Sequence, residues 1–173
     1  MNVAPNRDGL IDDNAAKAMS RIGQIWKNTG HIADVPVADP PITGINLAIR
    51  RRCDSSWSDD MFLMDFANDD NFSSPWISSP TVDEPWWQVE LDKGSTVGTV
   101  VITQTKDSEV DGYVVELLCD GLWKEVARAE QLPAQGKKVH INRFPAREAS
   151  AVRVRFFSAT RNVRIAEIGV YAE

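Results

Sequence analysis

Two hydrophobic rhythms divide the chain. From Asp13 to Asn28 the apolar residues Ala15, Met19, Ile22, Ile25 and Trp26 recur at steps of three and four. That spacing predicts an α-helix with one apolar stripe. Asp12 or Asp13 can cap its start, because a carboxylate there accepts the free first-turn N–H groups. Gly30 can end it in a left-handed conformation, and the preceding Pro5-Asn6-Arg7-Asp8-Gly9 is turn chemistry. A single helix of about four turns cannot bury its stripe alone. It is expected to dock on the following domain or on a domain outside this sequence. Residues 35–44 then read V-P-V-A-D-P-P-I-T-G, whose prolines predict a stiff, extended linker.

After residue 45 the period falls to two. Trp87, Val89 and Leu91 alternate with Gln88 and Glu90. Tyr113, Val115, Leu117 and Cys119 alternate with Val114, Glu116 and Leu118, and Val152, Val154 and Phe156 with Arg153 and Arg155. Asp120-Gly121 is a two-residue hairpin signal before Leu122-Trp123-Lys124-Glu125-Val126. Short strands are also predicted over 46–49, 97–103, 138–142 and 163–171. Many short strands with turn signals between them predict an all-β, antiparallel β-sandwich over residues 45–173, preceded by one α-helix.

Composition narrows the function. At 173 residues the chain is too short for a (β/α)8 barrel, which takes about 250. Its 43% hydrophobic and 25% charged residues exclude whole-chain disorder and collagen-like repeats. The formal net charge of −6 argues against a phosphate-backbone binder, so no nucleic acid is expected. The same sign disfavours an anionic membrane. The N-terminal residues carry no basic-then-apolar export pattern. Cys53 and Cys119, the only cysteines, are too few for a disulfide framework and read as two buried thiols or one incidental bridge. His31 and His140 are isolated and receive no role. Six tryptophans amid polar loops point to a sugar or protein contact surface.

An ordered series of segments carries a family resemblance. Asn46-Leu47-Ala48 is followed by A-N-D-D-N-F-S-S-P-W (67–76), W-W-Q-V-E-L-D-K-G (86–94) and V-V-I (100–102). Next come Y-V-V-E-L-L-C-D-G-L-W-K-E-V-A (113–127), A-V-R-V-R-F (151–156) and I-A-E-I-G-V-Y (165–171). The series resembles discoidin-type domains, the galactose-binding-like jelly roll shared by coagulation-factor C-type domains and carbohydrate-binding modules of family 32. The N-terminal N-V-A-P-N-R-D-G-L-I-D-D-N, with its helix ending in I-W-K-N-T-G, is similar to the end of the catalytic barrel in family 29 α-L-fucosidases. Some of those enzymes carry a discoidin-like module after the barrel. The resemblances imply a tail of a truncated barrel over 1–34, a linker over 35–44 and a discoidin-like sandwich over 45–173.

The family pattern A-x-D-G-N-x-x-T-x-W implies a calcium site. Calcium takes about 6–8 oxygen ligands, mixing carboxylates, hydroxyls and carbonyls. The resemblance maps a carboxylate onto Asp69, a carbonyl onto Asn71, and a hydroxyl and carbonyl onto Ser74. It maps a second carboxylate onto Glu167, and carbonyls onto Phe66 and Ala166. Asp70 stands where the family has Gly, and Asp tolerates a left-handed backbone better than most residues. Ser74 replaces Thr and keeps the hydroxyl. The ion's implied role is structural, tying the first long loop to the last strand. A polar turn without an ion is the alternative.

Sugar binding needs an aromatic face for stacking and polar groups to clamp hydroxyls. In family 32 modules this occurs on loops at one end of the sandwich, here 55–62, 104–111 and 158–162. Trp57 is the expected platform and Phe62 the second choice, with Gln104, Lys106, Arg161 and Asn162 as hydrogen-bonding candidates. Trp76, Trp87 and Trp123 are assigned to the core, and Trp86 is ambiguous. The combination of His, Arg-x4-Asn and a final-loop aromatic that marks some galactose binders is missing.

Retaining glycosidases need two carboxyl groups about 5–5.5 Å apart in a cleft. The acidic pairs here fall in turns, and Asp8, Asp12 and Asp13 read as turn and cap residues, so catalysis by this chain alone is not expected. The first reading is a non-catalytic glycan-binding module of a periplasmic or extracellular fucosidase-like glycoside hydrolase, whose catalytic domain is its partner. The second is a structural domain that braces the barrel without a sugar ligand. A phospholipid-binding discoidin domain is a third.

Overall fold

In the computed structural model, residues 13–28, 41–133, 136 and 138–173 are described here. The chain divides into two units, Met1–Pro41 and Ile42–Glu173. In the first, helix α1 spans Asp13–Asn28, as its stripe predicts. The expected Asp12 cap, Gly30 stop, turn at 5–9, His31 and most of the proline linker lie outside the described residues.

The second unit is an antiparallel β-sandwich. Its strands are β1 (Cys53–Ser55), β2 (Trp76–Ile77), β3 (Trp86–Gln104), β4 (Gly112–Cys119), β5 (Leu122–Ala129), β6 (Val139–Phe157) and β7 (Arg164–Tyr171), with a 3-10 helix at Met64–Asn68 before β2. The hydrogen-bonded order is β2-β7-β3-β6-β4-β5, and β1 also pairs with β3. Register explains how one ladder forms two layers. β1 meets only residues 87–89 of β3, and β4 only residues 151–157 of β6. β7 meets only residues 99–104 of β3. The first half of β3 and the second half of β6 therefore belong to one layer, with β1, β4 and β5. The remaining halves belong to the other, with β7 and β2.

The ribbon turns between layers where Glu90 pairs with Ala151 but Ser95 pairs with Ala149. Four β3 residues there face Ser150 alone, and strands switch sheets through such irregularities. Gly94 takes φ +79 at the turn, a conformation that L side chains resist. The Ser95 hydroxyl donates to the Asp92 carbonyl at 2.8 Å. Arg51 holds both Asp92 carboxylate oxygens, through Nη1 at 2.7 Å and through Nη2.

The alternating residues fill the space between layers. Trp87, Val89, Val115, Leu117, Val152, Val154 and Phe156 from one layer join Val97, Val100, Ile102, Ile165, Ile168 and Val170 in one core. Trp76 and Trp87 are fully buried, as expected. Trp123 departs from expectation. It is half-buried and lies under the Arg153 guanidinium, 4.2 Å from the ring centroid. β5 is an edge strand, paired on one side only, with β4. Cys53 and Cys119 are buried free thiols, and Cys53 is pushed up to about 12 by burial and its hydrogen bond to Asp65. Asp120 and Gly121 both take positive φ, 54° and 78°, in a two-residue hairpin turn between Cys119 and Leu122.

Where a strand is expected over 46–49, residues 47–50 form a turn. The reason is Asn46, whose Oδ1 accepts the N–H groups of Ala48 (3.0 Å) and Val170 (2.9 Å). The side chain thus replaces a strand ladder and pins the turn on β7. The Glu173 carboxylate accepts the Thr43 and Gly44 N–H groups at 2.7 and 2.6 Å, so the chain entering the sandwich is clasped to the chain leaving it.

At Gly112 a Cβ would lie 2.6 Å from the Ala129 carbonyl oxygen and 3.2 Å from the Glu130 Cα, both main chain. Gly112→Ala is expected to destabilise by about 1–3 kcal/mol through overpacking. Urea melts of the two proteins check this, and an unchanged midpoint would refute it.

Candidate functional site

The first half-turn of the 67–76 segment is built by side chains that cap its own backbone. Asp69 Oδ1 accepts the Asn71 N–H at 2.8 Å, and Asn71 Oδ1 accepts the Ser73 N–H at 3.2 Å. The Ser74 hydroxyl donates to Asp69 Oδ2 at 2.9 Å and also lies 3.1 Å from the Asn71 carbonyl oxygen. Asp70 sits at φ 64, left-handed as its place in the motif requires. Asp69, Asn71 and Ser74 are thus gathered in one loop. Phe66 lies just before it, in the 3-10 helix that ends at Asp69.

Glu167 comes from β7, opposite Thr103. It is 5% exposed, and among the described residues neither of its carboxylate oxygens has a hydrogen-bond partner. A buried carboxylate without partners is costly. Burial pushes its pKa up to about 8. The Asp70 main chain offsets part of that rise without completing a well-formed hydrogen bond, while the Asp69 and Asp70 carboxylates add to it. Beside it, Ala166 has no partner in the β3 register, which steps from Thr103–Glu167 to Gln104–Ile165. This bulge releases a backbone unit from the ladder.

The donor set suits a hard cation of calcium's kind. Among the described residues no three His, Cys, Asp or Glu side chains are grouped to hold an ion. The shell would therefore combine Asp69 and Glu167 with Ser74 and main-chain carbonyls, the mixed oxygen environment calcium accepts.

The second constellation crowns the end of the sandwich where β3 both begins and finishes. Trp57 follows β1 and is 81% exposed. Its loop is rigidly seated. The Trp57 carbonyl accepts the Ser79 N–H at 2.8 Å, and Asp59 N–H donates to the Ile77 carbonyl at 2.8 Å. Ser58 bridges Ser78, and the buried Trp76 indole N–H donates to Ser58 Oγ at 2.9 Å. A core tryptophan thereby fixes the loop that presents the exposed one. Phe62, on the same loop, is exposed and accepts the Ile77 N–H at 3.4 Å through its carbonyl.

Hydrogen bonds carry the same surface onward. Ser78 N–H donates to the Val163 carbonyl at 3.1 Å, and Glu109 N–H to the Asn162 carbonyl at 2.8 Å. The Asn162 amide spans its neighbours, donating to the Asp107 carbonyl and accepting from Arg164 Nε, each at 2.8 Å. Arg161, at φ 58, pairs with Asp83 at 2.5 Å. Lys106 is exposed on the adjoining turn. Trp57, Arg161, Asn162 and Lys106 therefore belong to one group of converging loops. Gln104 does not join them. It is 5% exposed, and its amide lies 3.1 Å from His140 Nε2. As the last residue of β3 it faces the sandwich interior. Asp83 and its loop were not foreseen. The only sequence signal was the turn-rich S-S-P-T-V-D-E-P (78–85), with nothing to connect it to Arg161.

The NedA-like, galactose-binding domain family matches residues 66–154. This chain belongs to that family. Among solved structures it is similar to chitosan-binding module 1 of a chitosanase/glucanase from Paenibacillus sp. IK-5. Identity there is 25% and the TM-score 0.66, over 73% of this chain and 98% of that one. It is also similar to a mutant of the lectin binding domain of Lectinolysin complexed with Lewis b, with 26% identity and TM-score 0.64. That match covers 77% of this chain and 99% of that one. A third match, to the crystal structure of SpGH29, has 17% identity and TM-score 0.63, covering 98% of this chain and 34% of that one. No curated protein sequence matches. The chain is a carbohydrate-binding-module-like domain with a galactose-binding-like sandwich.

Glu167 ionises near 4.5 in an unfolded chain and near 8 in the fold. Between these values folding takes up a proton. In chelator, the contribution of the neutral carboxyl to stability should be complete below about pH 4.5 and lost as pH rises through 8. Glu167→Gln should be more stable than the parent at pH 8 and converge with it towards pH 4.5. Urea melts across that range in chelator test this, and parallel curves would refute it.

Proposed function

We propose that the chain is a non-catalytic glycan-binding module of an α-L-fucosidase-like glycoside hydrolase exported to the periplasm or beyond the cell. The observation that carries the binding role is Trp57, a large aromatic face open to solvent on a loop that the core holds still. Exposed rings on a fixed backbone stack on the apolar face of a sugar with no loop-ordering cost on binding. Arg161, Asn162 and Lys106 supply polar groups around it, with Arg161 oriented by Asp83. Phe62 adds a second apolar edge. Support for parentage comes from the N-terminal segment that is similar to fucosidase barrel ends, and from the SpGH29 match, which extends over nearly all of this chain.

Calcium is the proposed structural ion, held by Asp69, Ser74 and Glu167 with the carbonyls of Phe66, Asn71 and Ala166. It supplies positive charge to a buried carboxylate and ties the 67–76 loop to β7. The bracing alternative draws on Met61 and Leu63, which leave apolar surface open beside the Trp57 loop.

Two experiments separate these readings. On a glycan array including fucosylated, galactose-terminated and chito-oligosaccharide ligands, the protein should bind, and Trp57→Ala should weaken binding by roughly tenfold or more, equivalent to ~1.4 kcal/mol. Failure to bind any glycan, with activity gained when the module is joined to a fucosidase barrel, would select the bracing role. Separately, calcium should raise the melting temperature of chelated protein, and Glu167→Gln should remove most of that rise. A melt indifferent to calcium would exclude the ion.

A further inference from the structure

The corner where the β3–β6 ribbon changes layers holds a cleft of about 490 Å3, lined chiefly by Lys93, Gly94, Leu118, Lys124, Arg147 and Glu148. It lies at the opposite end of the sandwich from Trp57. β3 places Trp86 and Gln104 at the loop end and residues 91–95 at the far end, where the 119–122 hairpin also turns. The volume falls within the usual range of small-molecule sites, roughly 300–1,000 Å3.

Its charge differs from that of the chain. The whole sequence has a net charge of −6, yet three of the cleft's ionisable side chains are cationic and two, Asp120 and Glu148, are acidic. The architecture leaves two of those cations uncommitted. Asp92, the acid adjoining Lys93, is turned away and held at both oxygens by Arg51. Asp120 is associated with Lys124, at 3.9 Å. Neither Lys93 nor Arg147 has an ion pair among the described residues, and both are exposed. Gly94 lines the cleft without a side chain of its own. Leu91, Leu118 and Ala149 supply an apolar lining.

We propose that this corner is a second ligand site, independent of the Trp57 surface, that takes a carboxylate-bearing sugar. Lys93 and Arg147 receive the carboxylate, Arg147 with the planar fork that suits it. The ring lies along the leucines, and Glu148 and Asp120 accept hydrogen bonds from its hydroxyls. The volume and apolar lining select a sugar acid over a bare anion, and the paired cations select it over a neutral sugar.

The test compares glucuronic acid, glucose and acetate by NMR titration of the intact chain. These probes separate the ring from the charge. Glucuronic acid should shift the amides of residues 91–95 and 118–120 and bind roughly tenfold more tightly than either comparator. Binding should weaken as salt rises. The double variant Lys93→Gln, Arg147→Gln should lose at least about tenfold in affinity, whereas Lys93→Arg and Trp57→Ala should retain it. Both cations are exposed, so an unchanged melting temperature will show that the fold survives. Equal binding of glucose or acetate would overturn the proposal, as would loss of glucuronate binding in Trp57→Ala. So would the absence of any glucuronate-induced shift at the corner.

Discussion

Everything described above hangs on the sharing of β3 and β6 between two layers. Each strand is long enough to serve one sheet with its first half and the other with its second, and the irregularity between Glu90 and Ser95 lets the pair fold over. This continuity removes the need for separate strands at the corner. It also creates the molecule's polarity. Both ends of β3 emerge together, so the loops that follow β1, β3 and β6 converge there. The bend itself forms the opposite end. A straight ladder of the same residues would offer neither a clustered set of loops nor a corner cleft.

The two ends are stiffened differently. At the loop end, stiffness comes from backbone hydrogen bonds between segments distant in sequence, and from the core reaching outward through the Trp76 indole to Ser58. At the corner, it comes from a turn whose charged residues are sorted by the Arg51–Asp92 pair. On β7, near the loop end, the fold tolerates one conspicuous cost, the buried Glu167, unpartnered among the described residues. Among the described residues no side chain hydrogen-bonds to it. The Asp69 and Asp70 carboxylates raise the cost instead. Two things relieve such a residue: protonation, which its raised pKa favours at neutral pH, and positive charge, which the proposed calcium would supply.

Much of this architecture was legible from residue order. Period-two alternation located the inward faces of β3, β4 and β6, although in β4 the alternate residues Val114 and Glu116 are buried as well. The Asp120-Gly121 pair announced its hairpin, and Asp70 its left-handed backbone. Legibility failed where contacts are long-range. Residues 46–49 look like a strand, but Asn46 finds Val170, more than a hundred positions away, and closes a turn. Gln104 looks like a polar loop residue, yet strand pairing carries it inward to His140. Trp123 belongs to a strand whose edge position no local pattern reveals. Asp83 was invisible as a site residue because only folding sets it against Arg161.

The corner illustrates the same limit from the other side. Lys93, Arg147 and Lys124 are unremarkable singly, scattered through a chain with more acids than bases. Their convergence depends on the register shift that sets four β3 residues against one β6 residue, and on the tight hairpin that brings Leu118 and Asp120 beside them. Local charge is then set by partner choice rather than composition. Had Arg51 been absent, Asp92 would be the natural counter-ion for Lys93, and the cleft would approach neutrality. The bidentate Arg51–Asp92 pair is solvent-exposed and by itself stabilises the fold little. Its consequence is electrostatic: by engaging the neighbouring acid, it leaves a cation facing the cleft in an otherwise acidic protein.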